Sequence, residues 1–116
     1  MIVSYGYSMV NSGKAKEALA FSNLFNEFSY SADYVFMMGI VCMNNALFEQ
    51  AIEEFLKATT ISDYAVDGVN SYKAYYNAGV IYECSGNIAD AIKYYKKCGD
   101  YAPAAERLKS LPELLR

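Results

Sequence analysis

The sequence predicts an all-α fold: three helix–turn–helix units laid side by side as a solenoid and closed by a C-terminal helix. Three observations carry this. The chain has only 2 prolines in 116 residues, less punctuation than strands and their loops usually need. One glycine-anchored pattern returns three times along it, as in repeat architectures. The composition demands a packed core: 54% of residues are apolar and 16% aromatic, from 12 Tyr and 6 Phe. Such a chain is not intrinsically disordered, because disorder goes with low hydrophobicity and high net charge.

The repeat is read by offsets. Gly39 is followed by Cys42 at +3, Ala46 at +7, Ala51 at +12, Phe55 at +16 and Ala58 at +19. From Gly79 the same offsets give Tyr82, Gly86, Ala91, Tyr95 and Cys98, with Pro103 at +24. From Gly6 they give Met9, Gly13, Ala18, Ser22 and Phe25, where Ser22 replaces the aromatic and Phe21 stands next to it. Steps of three and four stay on one helical face. A glycine at the closest approach of two antiparallel helices lets their backbones draw near. Ala18, Ala51 and Ala91 are small for the same reason, and the aromatic four residues later is expected to fill the hole between neighbouring repeats. Gly13 and Gly86 fall between the helices of a unit, where a left-handed residue is wanted. Ala46 holds that place in the middle unit, with Asn44 and Asn45 expected to supply the turn.

Helices are expected at about 2–11, 14–28, 32–45, 48–60, 70–85, 88–100 and 103–110. They make one domain over 1–116, with units at about 1–31, 32–71 and 72–104. Pro103 opens the last helix in its first turn, where a missing N–H costs nothing. This helix should cap the solenoid, turning Leu108 and Leu111 inward. The glycines are 33 and then 40 residues apart, and Ile61 to Asn70 holds the extra length.

Charge and residue counts exclude much chemistry. Ten basic against 13 acidic residues leave a net charge of −3, the wrong sign for an electrostatic nucleic-acid binder. The chain has no histidine, which removes the commonest general base and zinc ligand. No catalytic residue, metal site or cofactor is expected, so the chain reads as no enzyme. Cys42, Cys84 and Cys98 form no CxxC pair, and Cys42 and Cys98 suit small buried hydrophobes. A reducing, cytoplasmic setting fits them. No apolar run is long enough to span a membrane, and the N-terminus lacks the features of a secretory signal. Asp63 to Gly68 resembles the start of a calcium loop, but Ala65 and Ala74 stand where ligands are needed. Gly13-Lys14 has no phosphate-loop context. Glu53 and Glu54 are adjacent on a helix and read as solvated surface. Lys93, Lys96 and Lys97 form a small basic patch that could touch an acidic partner, though a solvated face is the simpler reading.

With these residues the chain resembles the tetratricopeptide repeat family, whose unit is a helix–turn–helix of about 34 residues. The resemblance covers residues 1 to about 104. It implies a right-handed α–α superhelix whose first helices line a concave groove for an extended peptide or a helix. Carried over by position, that groove takes Val3, Tyr7 and Val10 from the first unit. It takes Asp33, Phe36, Met37, Ile40 and Met43 from the second, and Lys73, Tyr76, Asn77, Val80 and Glu83 from the third. Two readings stay open for these side chains: groove lining, or core buried against a terminal helix or a neighbouring domain. The implied function is non-enzymatic protein–protein interaction through a largely apolar, aromatic surface.

The family's chaperone members clamp a C-terminal carboxylate with lysines, asparagines and an arginine. At the matching places stand Val3, Tyr7, Met37, Lys73 and Asn77. Lys73 alone fits, so charge-driven capture of acidic chaperone tails in the groove is not expected. A narrower resemblance, over residues 30–108, is to the repeat segment that follows the catalytic domain of bacterial family-2 glycosyltransferases. It implies the alternative of an accessory region for substrate docking or oligomerisation, and the chain carries no DxD motif. Only five residues precede Gly6. The first unit is therefore expected to start mid-helix, in a piece of a larger protein or a chain that pairs its open end with a second copy.

Overall fold

The computed structural model describes residues 31–111, and every regular element among them is an α-helix. These are α1 (Ala32–Asn44), α2 (Phe48–Ala58), α3 (Tyr72–Cys84), α4 (Ile88–Lys97) and α5 (Ala102–Ser110). The expected helices at 2–11 and 14–28 lie outside the described residues, together with the Gly6 copy of the repeat. Helix α1 packs on α2, α2 on α3, α3 on α4 and α4 on α5. Two helix–turn–helix units, the first (α1 and α2) and the second (α3 and α4) of the described residues, therefore stand in a row and are followed by α5.

The register is visible in the two helix-packing glycines. A Cβ added at Gly39 would lie 2.5 Å from Cε1 of Phe55, and one added at Gly79 would lie 2.7 Å from Cε1 of Tyr95. Each ring occupies the volume that a side chain on the facing helix would otherwise take. Both rings are fully buried, beside the equally buried Ala51 and Ala91. Phe55 also meets Phe36 edge to face, with centroids 5.3 Å apart, a favoured aromatic geometry.

Helix α1 is apolar around nearly its whole circumference, and nine of its residues are buried. A helix of that kind belongs in a core. It shares one cluster with Phe55, Ala58, Val69, Ala74 and Ile81, so α3 turns its small and branched residues back towards the first unit. A second cluster joins Ala91, Ile92, Tyr95 and Cys98 to Ala104 and Leu111, with Leu108 packed against it. Leu108 and Leu111 thus seat α5 on the second unit.

Local chemistry sets the boundaries. Asn87 caps α4: its Oδ1 accepts from the Asp90 amide at 3.3 Å and its Nδ2 donates to the Asp90 carboxylate at 2.8 Å. Lys96 and Lys97 sit at the C-terminal end of that helix, where its dipole favours cations. Gly86 takes φ +84° in the turn between α3 and α4. In the first unit Ala46 itself takes φ 59°, so the left-handed residue is the alanine rather than Asn44 or Asn45. The two asparagines instead donate back to the carbonyls of Ile40 and Val41, at 2.9 and 2.8 Å.

The long connection between units is tied at several points. The Asp33 carboxylate accepts the amides of Ala65 and Val66 at 2.7 and 3.0 Å. The Ala32 amide donates to the Asp63 carbonyl at 2.9 Å. Asn70 Nδ2 donates to the Ile61 carbonyl at 2.9 Å, and the Tyr72 hydroxyl to Asp67 at 2.5 Å. Of the acids that resembled a calcium loop, Asp67 holds this connection through its carboxylate and Asp63 through its backbone carbonyl.

Candidate functional site

The C-terminal ends of α1 and α3 and the start of α2 enclose an open apolar cleft. It is lined by Met43, Phe48, Val80, Ile81, Cys84 and Ser85, with a volume of about 290 Å³. Phe48 is 47% exposed at its lip, and Cys84 presents a free, exposed thiol. Ile81 closes the floor, being buried in the core shared with α1 and α2. The cleft forms because the turns after α1 and α3 are short. Met43 near the end of α1 and Val80, Ile81 and Cys84 near the end of α3 face it, and the packing of α2 on α3 brings these ends together.

The sequence-derived groove residues do not share one surface. Met43 and Val80 meet in this cleft. Phe36 and Met37 fall on the core side of the two readings: they are 8% and 1% exposed and belong to the first cluster, against which Ile40 also packs. Tyr76 and Glu83 are engaged by the terminal helix. The Tyr76 ring meets Tyr101, the residue before α5, edge to face at 5.6 Å, and lies 5.8 Å from the Tyr95 ring. Lys73 and Asn77 are half-buried on α3. Tyr7, Val3 and Val10 lie outside the described residues, and Asp33 is spent on the inter-unit connection.

Glu83 is the electrostatic centre of this end of the chain. Its Oε1 accepts from the Tyr95 hydroxyl at 2.8 Å and from Arg107 Nε at 3.0 Å, while Oε2 pairs with a terminal nitrogen of Arg107. One carboxylate thereby links α3, α4 and α5. The Arg107 guanidinium holds the Glu83 carboxyl below the ordinary carboxylate range against a partial burial that works the other way, and the Tyr95 hydroxyl adds to the lowering. Burial, reinforced by Glu83, pushes the Tyr95 phenol well up. The sequence offered no sign of this, because residues 83, 95 and 107 have no spacing that announces a contact.

Two of the three thiols are inert. Cys98 donates to the Tyr72 and Tyr94 carbonyls at 3.3 and 3.4 Å, and burial pushes its pKa up to about 11. Burial, with the Glu54 charge second, also raises the Cys42 thiol. Thiolate chemistry is thus disfavoured at both. Among the described residues no helix is long and apolar enough to cross a membrane.

The comparison with known families agrees with the register. The family model of the tetratricopeptide repeat matches residues 72–105, the span of α3, α4 and the start of α5. No curated protein matches the chain significantly.

Proposed function

With residues 72–105 a tetratricopeptide repeat, a motif of protein–protein interaction, we infer that this chain is a non-catalytic module holding an apolar segment of a partner protein in the cleft between its two units. The observation that carries this reading is the open cleft itself, to which Met43 and Val80 contribute from equivalent stretches of α1 and α3. Its lining is almost wholly apolar, and Phe48 stands half-exposed at the entrance. An aromatic at the mouth of a concave apolar site is a common anchor for a peptide. Methionine lets such a surface adjust to different side chains. The polar groups at the end of α3 are already paired within the protein, so affinity would come from apolar burial rather than from charge.

The exposed Cys84 makes the test direct. A fluorophore on Cys84, with Cys42 and Cys98 buried, reports occupancy of the cleft as displayed peptides are selected on the protein. Selected peptides should carry large apolar residues, shift the label and lose about tenfold in affinity to Phe48→Ser. Binders that leave the label unchanged and bind Phe48→Ser equally well would overturn the reading.

A further inference from the structure

On the opposite side of α3 from the cleft, Tyr94 of α4 is stacked between two rings. Tyr82 lies 5.6 Å from it with planes 7° from parallel, and Tyr75 lies 6.2 Å from it with planes at 18°. Tyr75 and Tyr82 are seven residues apart, about 10.5 Å of helical rise, which leaves room for one inserted ring. Two lysines of α4 rest on this platform. Lys93 Nζ is 5.2 Å from the Tyr94 centroid, and Lys97 Nζ is 5.4 Å from the centroids of both Tyr94 and Tyr75.

We propose that this tyrosine-backed lysine pair is a second interaction surface, fitted to an acidic peptide segment of a partner protein. Both lysines are exposed, and among the described residues neither has a carboxylate partner; the ion pair found there joins Arg107 to Glu83. An ammonium resting on a ring face keeps donors free for an incoming carboxylate. Because the rings already hold the long side chains in place, less side-chain freedom is lost on binding.

Charge selects the partner. The whole chain carries −3, yet α4 bears Lys93, Lys96 and Lys97 against the single Asp90. Asp90 stands at the other end of the helix, tied to Asn87. An acidic segment would be drawn to the lysine end of α4 and turned away from Asp90, which fixes its orientation. The repeat does not need this arrangement in order to pack. Forty residues earlier the equivalent places hold Val35, Cys42, Glu53, Glu54 and Lys57. Nucleic acid fits less well, because single strands bind by stacking bases on free rings and the Tyr94 ring is already stacked with Tyr75 and Tyr82.

The test uses the full chain and a fluorescein-labelled Glu–Ala repeat peptide, followed by anisotropy. The wild type should bind it, and binding should weaken as salt is raised. Lys93→Glu/Lys97→Glu should lose about tenfold or more, and Lys93→Gln/Lys97→Gln should lose part of that. Lys109→Glu, exposed on α5, should bind like the wild type. Absence of binding to the wild type, or undiminished binding to the Glu variant, would overturn the proposal. So would a single-stranded oligonucleotide that binds more tightly and is lost in the same variants.

Discussion

Forty residues separate Gly39 from Gly79, and the same step carries Phe55 to Tyr95, Met43 to Glu83 and Glu54 to Tyr94. The two units place these pairs alike and fill them differently. In the first, Gly39 faces a Phe55 ring wrapped in apolar side chains. In the second, Gly79 faces a Tyr95 ring whose hydroxyl reaches Glu83, and Glu83 holds Arg107 of the last helix. The difference teaches what the repeat itself requires. A small residue opposite a large ring is common to both units and sets the spacing between helices. The polar end of the ring is specific to the second unit, where it ties down the short helix α5. Apolar contact alone seats the ring of the first unit, whereas the second adds a hydrogen-bonded network that fixes α5.

The largest effects test the shared part. Phe55→Ala and Tyr95→Ala should each cost about 3–5 kcal/mol in urea denaturation, since both rings are fully buried. A loss below about 1 kcal/mol at either would break the equivalence of the units. Exchanging the ring ends tests the part that differs. Tyr95→Phe removes a hydrogen bond to a charged acceptor and should cost about 1.5–3 kcal/mol. Phe55→Tyr adds a buried hydroxyl whose register partner is Met43 rather than a carboxylate, and should cost roughly 1–3 kcal/mol. A neutral Phe55→Tyr would show that the first unit tolerates the polar end too.

The helices were legible because they rest on local, periodic signals. The sixteen-residue offset singled out Phe55 and Tyr95 as packing rings, which sit on the glycines of their own units rather than between repeats, and all five described helices end within three residues of the expected bounds. Element ends are usually the hardest part, and here turn residues marked them. The candidate site was only partly legible. Met43 and Val80 follow from repeat position, but Phe48 and Cys84 face the cleft because of how α2 meets α3. That is a tertiary relation with no period. Phe36 and Met37 show the converse: their repeat positions match a groove, yet the apolar surroundings of α1 bury them. The tyrosine stack was also hidden, since nothing in the spacing of Tyr75, Tyr82 and Tyr94 announces that α3 and α4 bring them together.

A smaller effect separates the two turns. Gly86 and Ala46 hold the same place, at φ +84° and 59°, and only the glycine does so without a steric penalty. Ala46→Gly should therefore stabilise the first unit by about 0.5–1 kcal/mol after the added freedom of the unfolded chain is counted. Gly86→Ala should destabilise the second by about 1 kcal/mol. Thermal melts of both variants check the pair, and a destabilising Ala46→Gly would mean that the two turns are not equivalent.

The smallest effect concerns two carboxylates of opposite linkage. Glu54 sits partly buried where the second unit has Tyr94; burial raises its pKa most, Lys57 opposes and Glu53 adds to the rise. Glu83 is lowered, chiefly by Arg107. A raised carboxyl costs stability once ionised. That cost is full above its folded pKa and gone below the unfolded value of about 4.3. A lowered carboxyl contributes stability that is full above about 4.3 and lost as pH falls through its folded pKa. Glu54→Gln should thus gain roughly 0.5–1 kcal/mol at neutral pH, and the gain should close before the pH reaches about 4.3. Arg107→Gln should lose stability at neutral pH, and its deficit should close only below that value. Urea denaturation of both variants from neutral to acid pH separates the two windows. If the two gaps closed over the same range, Glu54 and Glu83 would not differ in sign, and the apolar interior of the first unit would not be raising its carboxyl.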